Sequence, residues 1–317
     1  MSGDTAFLLG ATITDANLVS CSAAEPDTTR VMPDGTVGEV LFNPATNYAI
    51  GAYAYSSVTH RVYKNAAGGV NAAQPHTAPT RWIDAGPTNR WAWADWYRST
   101  ATTVTSGSLS IVVRPGSISD VVLFGLEGVV SVRVEVLDAP GGNLIFDRTY
   151  SLLYWPSGES PWITYYFDLP QVRQQFEVNG IQPANASQVT LTLTGTAGQP
   201  LSLAAALFGR YQALGCAEYG ASARQRPFSK LEEDDFGNVK ILRRGFTSDI
   251  RAVAYMDTSE ANAIKRAVDN VADVPVALRI SRDARYDFLR GFGLLTAEVE
   301  AIAPNDSRTS IELKGFK

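Results

Sequence analysis

The sequence Val132-Arg133-Val134-Glu135-Val136 alternates valine with charged residues, and Val189-Thr190-Leu191-Thr192-Leu193-Thr194 has the same two-residue period. Because successive side chains of a β-strand point to opposite faces, this pattern predicts antiparallel strands with one buried and one solvated face. Five more apolar segments, separated by Gly and Pro turns, occupy residues 109–113, 118–126, 143–153, 162–168 and 201–208. Short strands at this spacing predict an antiparallel β-sandwich over residues 104–212.

Residues 213–317 have a different pattern. Asp257 stands three residues before Glu260, the arrangement of a helix capping box. Helical spacing then gives an apolar face of Ala261, Ile264, Val268 and Val271. Strands are predicted at residues 236–241 and 251–256, as a pair, and at 276–280, 294–302 and 310–313. We therefore expect a C-terminal α+β domain with one helix packed on a sheet.

The N-terminal side contains shorter elements. Residues 1–42 predict an N-terminal β arm of three irregular strands, at 6–9, 17–20 and 38–42, for which a partner chain is one source of a neighbouring strand. Residues 43–103 predict a small aromatic β module followed by a Trp-rich connector. The predicted fold is thus mainly β and multi-domain, with segments 1–42, 43–103, 104–212 and 213–317.

Four of the six tryptophans lie within residues 82–96. Flat aromatic rings can stack on sugars, and they can equally form the core of a small module, pack a domain seam or build a subunit interface. As tentative carbohydrate-binding residues we take the rings of the module itself: Tyr48, Tyr55, Tyr63 and Trp82. The alternative for these four is that they form the module's own core. As domain-seam residues, packing the module on the sandwich, we take the three that follow: Trp91, Trp93 and Trp96.

Composition and charge exclude several function classes. The net charge is −5 and no region has a basic excess, which disfavours DNA or RNA binding. Apolar runs fall short of a membrane span, and the N-terminus has no signal-peptide pattern, so neither membrane insertion nor Sec export is expected. Cys21 and Cys216 are read as free thiols. With only His60 and His76 available, histidine-based metal or triad chemistry is not expected.

Signatures of catalysis are also missing from the sequence. It has no phosphate-binding loop, no dinucleotide fingerprint and no Gly-x-Ser-x-Gly elbow, so we expect no cofactor, no catalytic residue and no enzyme activity. A glycosidase needs only two carboxylates, for which Glu159, Asp168 and Glu177 are candidates. The acidic run at residues 232–235 matches no calcium loop and is interpreted as a solvated loop, so no metal site is expected.

One segment resembles a family of sugar-binding modules. From Tyr48-x-x-Gly51 through Arg61-Val62-Tyr63 to Pro75 and Trp82, the chain resembles carbohydrate-binding modules of types 5 and 12, which have a Tyr-x-x-Gly start, an aromatic strand and a closing Pro and Trp. The resemblance implies a small β module that binds saccharide through its aromatic rings.

A second resemblance covers most of residues 45–260. The sequence Trp82-Ile83-Asp84-Ala85-Gly86-Pro87-Thr88-Asn89-Arg90-Trp91 is similar to a signature that recurs in virion proteins of tailed bacteriophages. Residues 218–222 (EYGAS), 234–239 (DDFGNV) and 244–246 (RGF) support it. The resemblance implies a structural protein of the tail tip, baseplate or fibre attachment, made in the host cytoplasm and located in the virion. It also implies that the sandwich is similar to galactose-binding domains.

We therefore expect a phage tail protein that assembles with other tail proteins and with copies of itself, that attaches to the tail through residues 213–317, and for which a host-surface glycan is a further partner. Two alternatives remain open. One is a glycan-binding protein for cell-surface polysaccharide without a structural role. The other is a polysaccharide-degrading enzyme, which requires a carboxylate pair in a groove.

Overall fold

A computed structural model describes residues 4–95, 99–105, 107–154, 171–233, 239–242 and 245–316. Of these residues, 52% lie in strands and 9% in helices, so the protein is mainly β. The described part of the chain has several antiparallel sheets and one short α-helix near the C-terminus. The fold class expected from the alternating sequences is thereby confirmed. No helix among the described residues is both long enough and apolar enough to cross a membrane.

The described strands and the α-helix are numbered in chain order: β1 (Asp4–Gly10), β2 (Leu18–Cys21), β3 (Asn47–Tyr48), β4 (Tyr53–Ser56), β5 (Arg61–Asn65), β6 (Gly69–Val70), β7 (Trp82–Pro87), β8 (Thr102–Val104), β9 (Ser108–Val113), β10 (Asp120–Phe124), β11 (Val129–Leu137), β12 (Leu144–Ser151), β13 (Leu153–Tyr154), β14 (Gln171–Val172), β15 (Gln175–Asn179), β16 (Gln188–Gly195), β17 (Leu201–Leu203), β18 (Ala205–Ala217), β19 (Ser222–Pro227), β20 (Lys230–Glu233), β21 (Val239–Leu242), β22 (Phe246–Asp257), α1 (Thr258–Asp269), β23 (Pro275–Arg279), β24 (Arg290–Ala301) and β25 (Asp306–Gly315). Short 3-10 helices lie at Pro75–Thr77, Asn89–Ala94 and Ala284–Leu289.

The chain divides into two compact units. The first comprises Met1–Ala11, Ile118–Val122 and Leu207–Lys317, and the second comprises Thr12–Ser117 and Leu123–Ala206. Each unit is built from stretches that are separated in sequence. The division into segments 1–42, 43–103, 104–212 and 213–317 remains a prediction.

Six strands of the first unit close into an antiparallel barrel. Their order is β18-β1-β23-β24-β25-β22, and β22 pairs back with β18 through Cys216↔Tyr255 and Ala217↔Ala254. Alternate residues of β22, beginning at Ile250 and Ala252, are buried, and helix α1 adds Ile264 and Val268 to the same core. On the edge opposite β25, residues 246–251 of β22 pair with β19.

Helix α1 begins where the capping residue predicts. The Asp257 carboxylate accepts a 2.8 Å hydrogen bond from the backbone N–H of Ser259, and this bond lowers the pKa of Asp257 below its ordinary value. Ile264 and Val268 are buried within the helix, and Val271 is buried just after its end. The predicted C-terminal helix is thus confirmed.

The N-terminal strand does not need a partner chain. Strand β1 lies between β18 and β23 of its own chain, and its Phe7 and Leu8 are fully buried. An apolar run such as residues 6–9 fits an inner position in a sheet, where both faces are covered. Residues 38–42 form no strand, because only Leu41 makes an isolated bridge, to Tyr55.

The second unit contains the strands whose sequences alternate apolar with polar residues. They belong to a five-stranded antiparallel sheet of order β12-β11-β16-β9-β2, in which Val134 pairs with Leu191. The apolar residues of β11 and β16 face one side and are fully buried: Val132, Val134, Val136, Val189, Leu191 and Leu193. This gives a β-sandwich-like character. The predicted strand at residues 162–168 lies outside the described residues.

Two expected strand arrangements are wrong. Of the predicted strand at residues 236–241, residues 236–238 lie outside the described residues, and residues 239–241 pair with β20 and not with residues 251–256. Residues 251–256 pair with β25. The predicted strand at 201–208 is divided between β17 and β18, with Ala204 between them. In both cases apolar content indicated that a strand was present. Strand ends and pairing partners depend on tertiary contacts, which a single sequence does not display.

Candidate functional site

The four tentative sugar-stacking residues lie in the interior of the aromatic module. Trp82 is only 2% exposed and packs edge-on to Phe42 and Tyr48, with ring centroids 5.7 Å and 5.2 Å apart. Tyr63 belongs to this same core, and Tyr55 lies in an adjacent one with Met32 and Val62. The Tyr48 hydroxyl is also used, because it accepts a 2.8 Å bond from the backbone N–H of Asn43.

Rings that are covered by protein have no face left for a sugar. The exposed fractions of these four side chains are between 2% and 6%. A three-stranded sheet of β4, β5 and β7 offers little apolar area of its own, so the large rings supply the core of the module. The burial of Tyr48, Tyr55, Tyr63 and Trp82 therefore favours a core role for them over a carbohydrate platform.

Two of the three predicted seam tryptophans lie between the module and the strands that follow it. Trp91 and Trp93 belong to the 3-10 helix Asn89–Ala94, which lies next to β7 and β8, and both are buried. The backbone N–H of Trp93 donates a 3.0 Å bond to the Thr102 hydroxyl. Trp96 lies outside the described residues. This placement is consistent with packing at a domain seam, and the seam role remains a prediction.

His60 is held between two carboxylates. It ends the β4–β5 turn with a φ of +53°, and its ring stacks on Trp91 at 4.6 Å. Its Nδ1 lies 3.0 Å from the Glu25 carboxylate oxygens, and its Nε2 lies 3.0 Å from the Asp15 carboxylate. Because ionised carboxylates only accept hydrogen bonds, this arrangement favours the cationic form of the ring, in which both nitrogens donate.

The charge on His60 follows from competing effects on its pKa. Burial is the largest single effect and lowers the pKa of His60, but the bonds and charges of Glu25 and Asp15 together outweigh it and raise the pKa above 6.5. Glu25 also accepts a 2.8 Å bond from the Thr88 hydroxyl. Both ring nitrogens of His60 are hydrogen-bonded, so neither is free to act as a general base. We interpret the cluster as a structural link between residues 12–30 and the aromatic module.

A second buried carboxylate fastens the same region. Glu39 accepts bonds from Arg30 Nη1 at 2.7 Å, from the Asn89 backbone N–H at 2.7 Å and from the Asp27 backbone N–H at 2.9 Å. The Asn89 side-chain amide in turn donates to Asp27 and to the Thr103 carbonyl. A buried charge is stable only when it is paired in this way, so the arrangement is structural.

The first unit carries a two-stranded ribbon with exposed apolar residues, which we define as residues 222–233, 239–242 and 245–249. Strand β22 pairs with β25 only from Ile250 onward, so the preceding residues Phe246–Asp249 pair with β19 alone. The Phe228 N–H donates to the Gly245 carbonyl and continues the pairing into β20 and β21. Among the described residues no other strand pairs with β20 or β21. At the usual strand rise the ribbon extends roughly 35 Å.

The register gives the ribbon two different faces. Pro227 is opposite Phe246, and Leu231 is opposite Ile241. Since opposite residues share a face, Leu231 and Ile241 lie on one face of β20 and β21, and Pro227 and Phe246 lie on one face of β19 and β22. The registers of the two segments differ by one residue, because Pro227 is opposite Phe246 whereas Lys230 is opposite Leu242, so the faces of the two segments are assigned separately. Leu231, Ile241 and Phe246 are 68%, 58% and 59% exposed.

The opposite face of β20 and β21 is mainly charged and contains Lys230, Glu232 and Lys240. The guanidinium of Arg226 in β19 lies over the Phe228 ring. Lys230 and Glu232 form a 3.1 Å ion pair. The ribbon is therefore amphipathic, with an uncovered apolar face. An isolated hairpin of this kind is only marginally stable in water.

A groove of about 530 Å³ lies beside the base of the ribbon, on the outer face of β22, β25 and β24. The strand registers place Arg251, Glu312 and Thr296 in one row, and they place Val253, Ser310 and Glu298 in the next. Arg251 and Glu312 form a 3.0 Å ion pair.

The structure offers little for the enzyme alternative. Of the carboxylates considered for a glycosidase, Glu159 and Asp168 lie outside the described residues, and Glu177 is half-buried in β15. Among the residues that the structure describes, no group of three or more His, Cys, Asp or Glu side chains is arranged to hold a metal ion. The absence of enzyme activity remains an expectation.

The ribbon and the groove are features that sequence reasoning missed. Strand β19 has the sequence Ser-Ala-Arg-Gln-Arg-Pro, which shows no apolar alternation because both of its faces are largely exposed. The groove comes from residues 219, 251, 298 and 310, which only the strand registers bring together. The exposed Tyr219 lies in a segment that the phage resemblance did include.

Comparisons with known proteins do not identify a family. No family model matches the chain, and no curated protein matches it. A solved structure described as reduced XRCC1 bound to the DNA polymerase β catalytic domain is similar over 34% of this chain and 77% of that chain. The identity is 16% and the TM-score is 0.23, and this likeness carries no argument about the present chain.

Proposed function

We propose that this protein is a structural component of a bacteriophage tail, located at the tail tip, the baseplate or a fibre attachment, and that it self-assembles through the apolar face of its ribbon. The class of protein rests on the resemblance of residues 82–91, 218–222, 234–239 and 244–246 to phage virion proteins. The observation that supports an assembly role is the ribbon, whose exposed Leu231 and Ile241 are opposite each other on one face of β20 and β21.

The partner proposed for this face is a second copy of the chain. Strand addition along the β19–β20 edge is disfavoured, because Pro227 lacks an N–H and Arg224 and Lys230 place charges along that edge. We propose contact through the face, where Leu231 and Ile241 are exposed. An apolar face can cover the same face of an identical subunit, as in an isologous interface.

The experiment is light scattering coupled to gel filtration over a range of concentrations, with the ribbon altered on one face at a time. Leu231→Lys and Ile241→Lys remove apolar contacts that are each worth about 1.5–3 kcal/mol when fully buried. The dissociation constant of the oligomer is expected to rise by about tenfold to a hundredfold for each change.

Matched controls lie on the opposite face of the same strands. Glu232→Gln and Lys240→Gln alter the charged face and are expected to leave the oligomer unchanged. Circular dichroism checks that every variant keeps its β structure. A wild-type protein that stays monomeric at all concentrations, or an oligomer that responds equally to both faces, would contradict the assembly role.

A further inference from the structure

The two carboxylates that hold the His60 ring differ in their exposure to water. Nδ1 of the ring lies 3.0 Å from the Glu25 carboxylate, and Nε2 lies 3.0 Å from the Asp15 carboxylate. The Glu25 side chain is 9% exposed and also accepts the bond from the Thr88 hydroxyl, whereas the Asp15 side chain is 68% exposed. The ring stacks on Trp91 with an angle of 23° between the two planes, which limits its reorientation. One end of the ring is therefore held by a buried group and the other by a solvated one.

Loss of one proton from the ring affects these two contacts differently. A neutral imidazole has a single N–H, so its other nitrogen presents a lone pair to a carboxylate only 3.0 Å away and repels it. Glu25 cannot easily withdraw, because a buried carboxylate needs its hydrogen-bond donors. Asp15 can turn into water at little cost. The neutral ring therefore keeps its proton on Nδ1, bonded to Glu25, and loses the proton on Nε2.

His60 is the group of this cluster whose charge changes near neutral pH. Burial lowers its pKa, but the hydrogen bonds and charges of Glu25 and Asp15 outweigh this effect and raise the pKa above 6.5. Burial also raises the pKa of the Cys21 thiol and of the Tyr55 hydroxyl, the titratable groups that Glu25 acts on nearby. The cations on the surrounding elements are arginines, which keep their charge at every pH used below: Arg30, Arg61 and Arg90.

Asp15 belongs to the turn at residues 12–17, just after the chain passes from the first compact unit to the second. The turn is closed by its own hydrogen bonds, including one of 2.8 Å from the Asn17 side-chain amide to the Thr12 carbonyl. The backbone N–H of Arg114, after β9, donates a 2.7 Å bond to the Asn17 carbonyl. Asp15 supplies the bond that links the turn to the aromatic module, through His60. Release of Asp15 removes this link and leaves the bond to Arg114 in place.

We propose that His60 is a proton-controlled link between the turn at residues 12–17 and the aromatic module. When the Nε2 proton passes to water, Asp15 is released, while the Nδ1 proton keeps the bond to Glu25. Because the pKa is raised, the link is fully formed below pH 6.5 and is lost as pH rises through the folded-state pKa. The link lies within the second unit and does not depend on self-assembly, so it goes beyond the proposed structural role.

Nitrogen-15 NMR of the imidazole rings in the full-length protein tests which proton is lost. The chain has two histidines, so His76→Gln identifies the signals of His60. We expect both nitrogens to be protonated at pH 5 and only Nδ1 to be protonated at pH 9. Asp15→Ala should lower the pKa of His60, because it removes one of the two charges that raise it. A neutral His60 with its proton on Nε2 would overturn the proposal.

Hydrogen exchange at pH 6 and pH 9, corrected for the intrinsic exchange rate at each pH, tests the release of the turn. The protection of residues 12–18 is expected to fall about twofold to fivefold at pH 9, the range for an exposed ion pair. Asp15→Ala should show the low protection at both pH values, and His76→Gln, the matched control, should behave as the wild type does.

Three results of the exchange experiment would overturn the link. The first is equal protection of the turn in the wild-type protein at both pH values. The second is a fall in protection that Asp15→Ala retains. The third is a fall that extends equally to residues 24–27, because Glu25 would then be released together with Asp15.

Discussion

Replacing Trp82 by alanine tests whether the aromatic rings of the small module form its core. The Trp82 ring is 2% exposed and makes edge-on contacts with Phe42 and Tyr48. Removing a buried Trp or Phe ring typically costs about 3–5 kcal/mol of stability. The two aromatic pairs account for about 0.5–1.5 kcal/mol each within that total. A tryptophan on an exposed sugar platform would cost only about 0.5 kcal/mol.

The measurement is equilibrium urea unfolding, followed by far-ultraviolet circular dichroism and by tryptophan fluorescence. Because the chain has two units, the transitions are fitted separately where the two probes do not coincide. Ile83→Thr is the control, since Ile83 follows Trp82 in β7, is 57% exposed and is replaced by another β-branched residue. A loss below about 1 kcal/mol for Trp82→Ala, matching that of the control, would refute the core assignment.

Two further predictions concern His60 and the thiols. The raised pKa of His60 means that its ion pairs with Glu25 and Asp15 stabilise the fold fully below pH 6.5, and that this contribution is lost as pH rises through the folded-state pKa. His60→Gln should therefore lower the unfolding midpoint at pH 6 by more than at pH 9, and equal losses at both pH values would contradict the ion pairs. Cys216 is exposed, whereas burial raises the pKa of the Cys21 thiol. In a timed reaction with a thiol reagent we expect Cys216 to react first, and mass spectrometry of the labelled peptides would show the reverse order if this is wrong.

The β-rich fold was predictable because its strands follow simple physical patterns. The alternation at residues 132–136 and 189–194 corresponds to β11 and β16, whose valine and leucine side chains are fully buried on one face. Helix α1 was equally predictable, since Asp257 caps it and Ile264 and Val268 recur at helical spacing. Local signals of this kind need no knowledge of distant contacts.

The parts that the sequence did not reveal depend on long-range pairing. The chain's first strand is an inner strand of the barrel, because β1 lies between β18 and β23, residues that are far away in sequence. The roles of the aromatic residues were ambiguous for the same reason. Tyr48, Tyr63 and Trp82 are residue types that also form sugar-stacking surfaces. Only their burial in one cluster with Phe42 indicates a core role. The registers of β22, β25 and β24 likewise had to be known before the groove was visible.

The apolar ribbon face is the central structural element of the proposed function, and an image of the assembled particle tests it most directly. A single-particle reconstruction of tails, or of the purified oligomer, would locate the ribbon at the level of individual strands. If the ribbon carries self-assembly, Leu231 and Ile241 are buried against a neighbouring copy of the chain. A particle that lacks the protein, or one in which this face of the ribbon points into solvent, would contradict it.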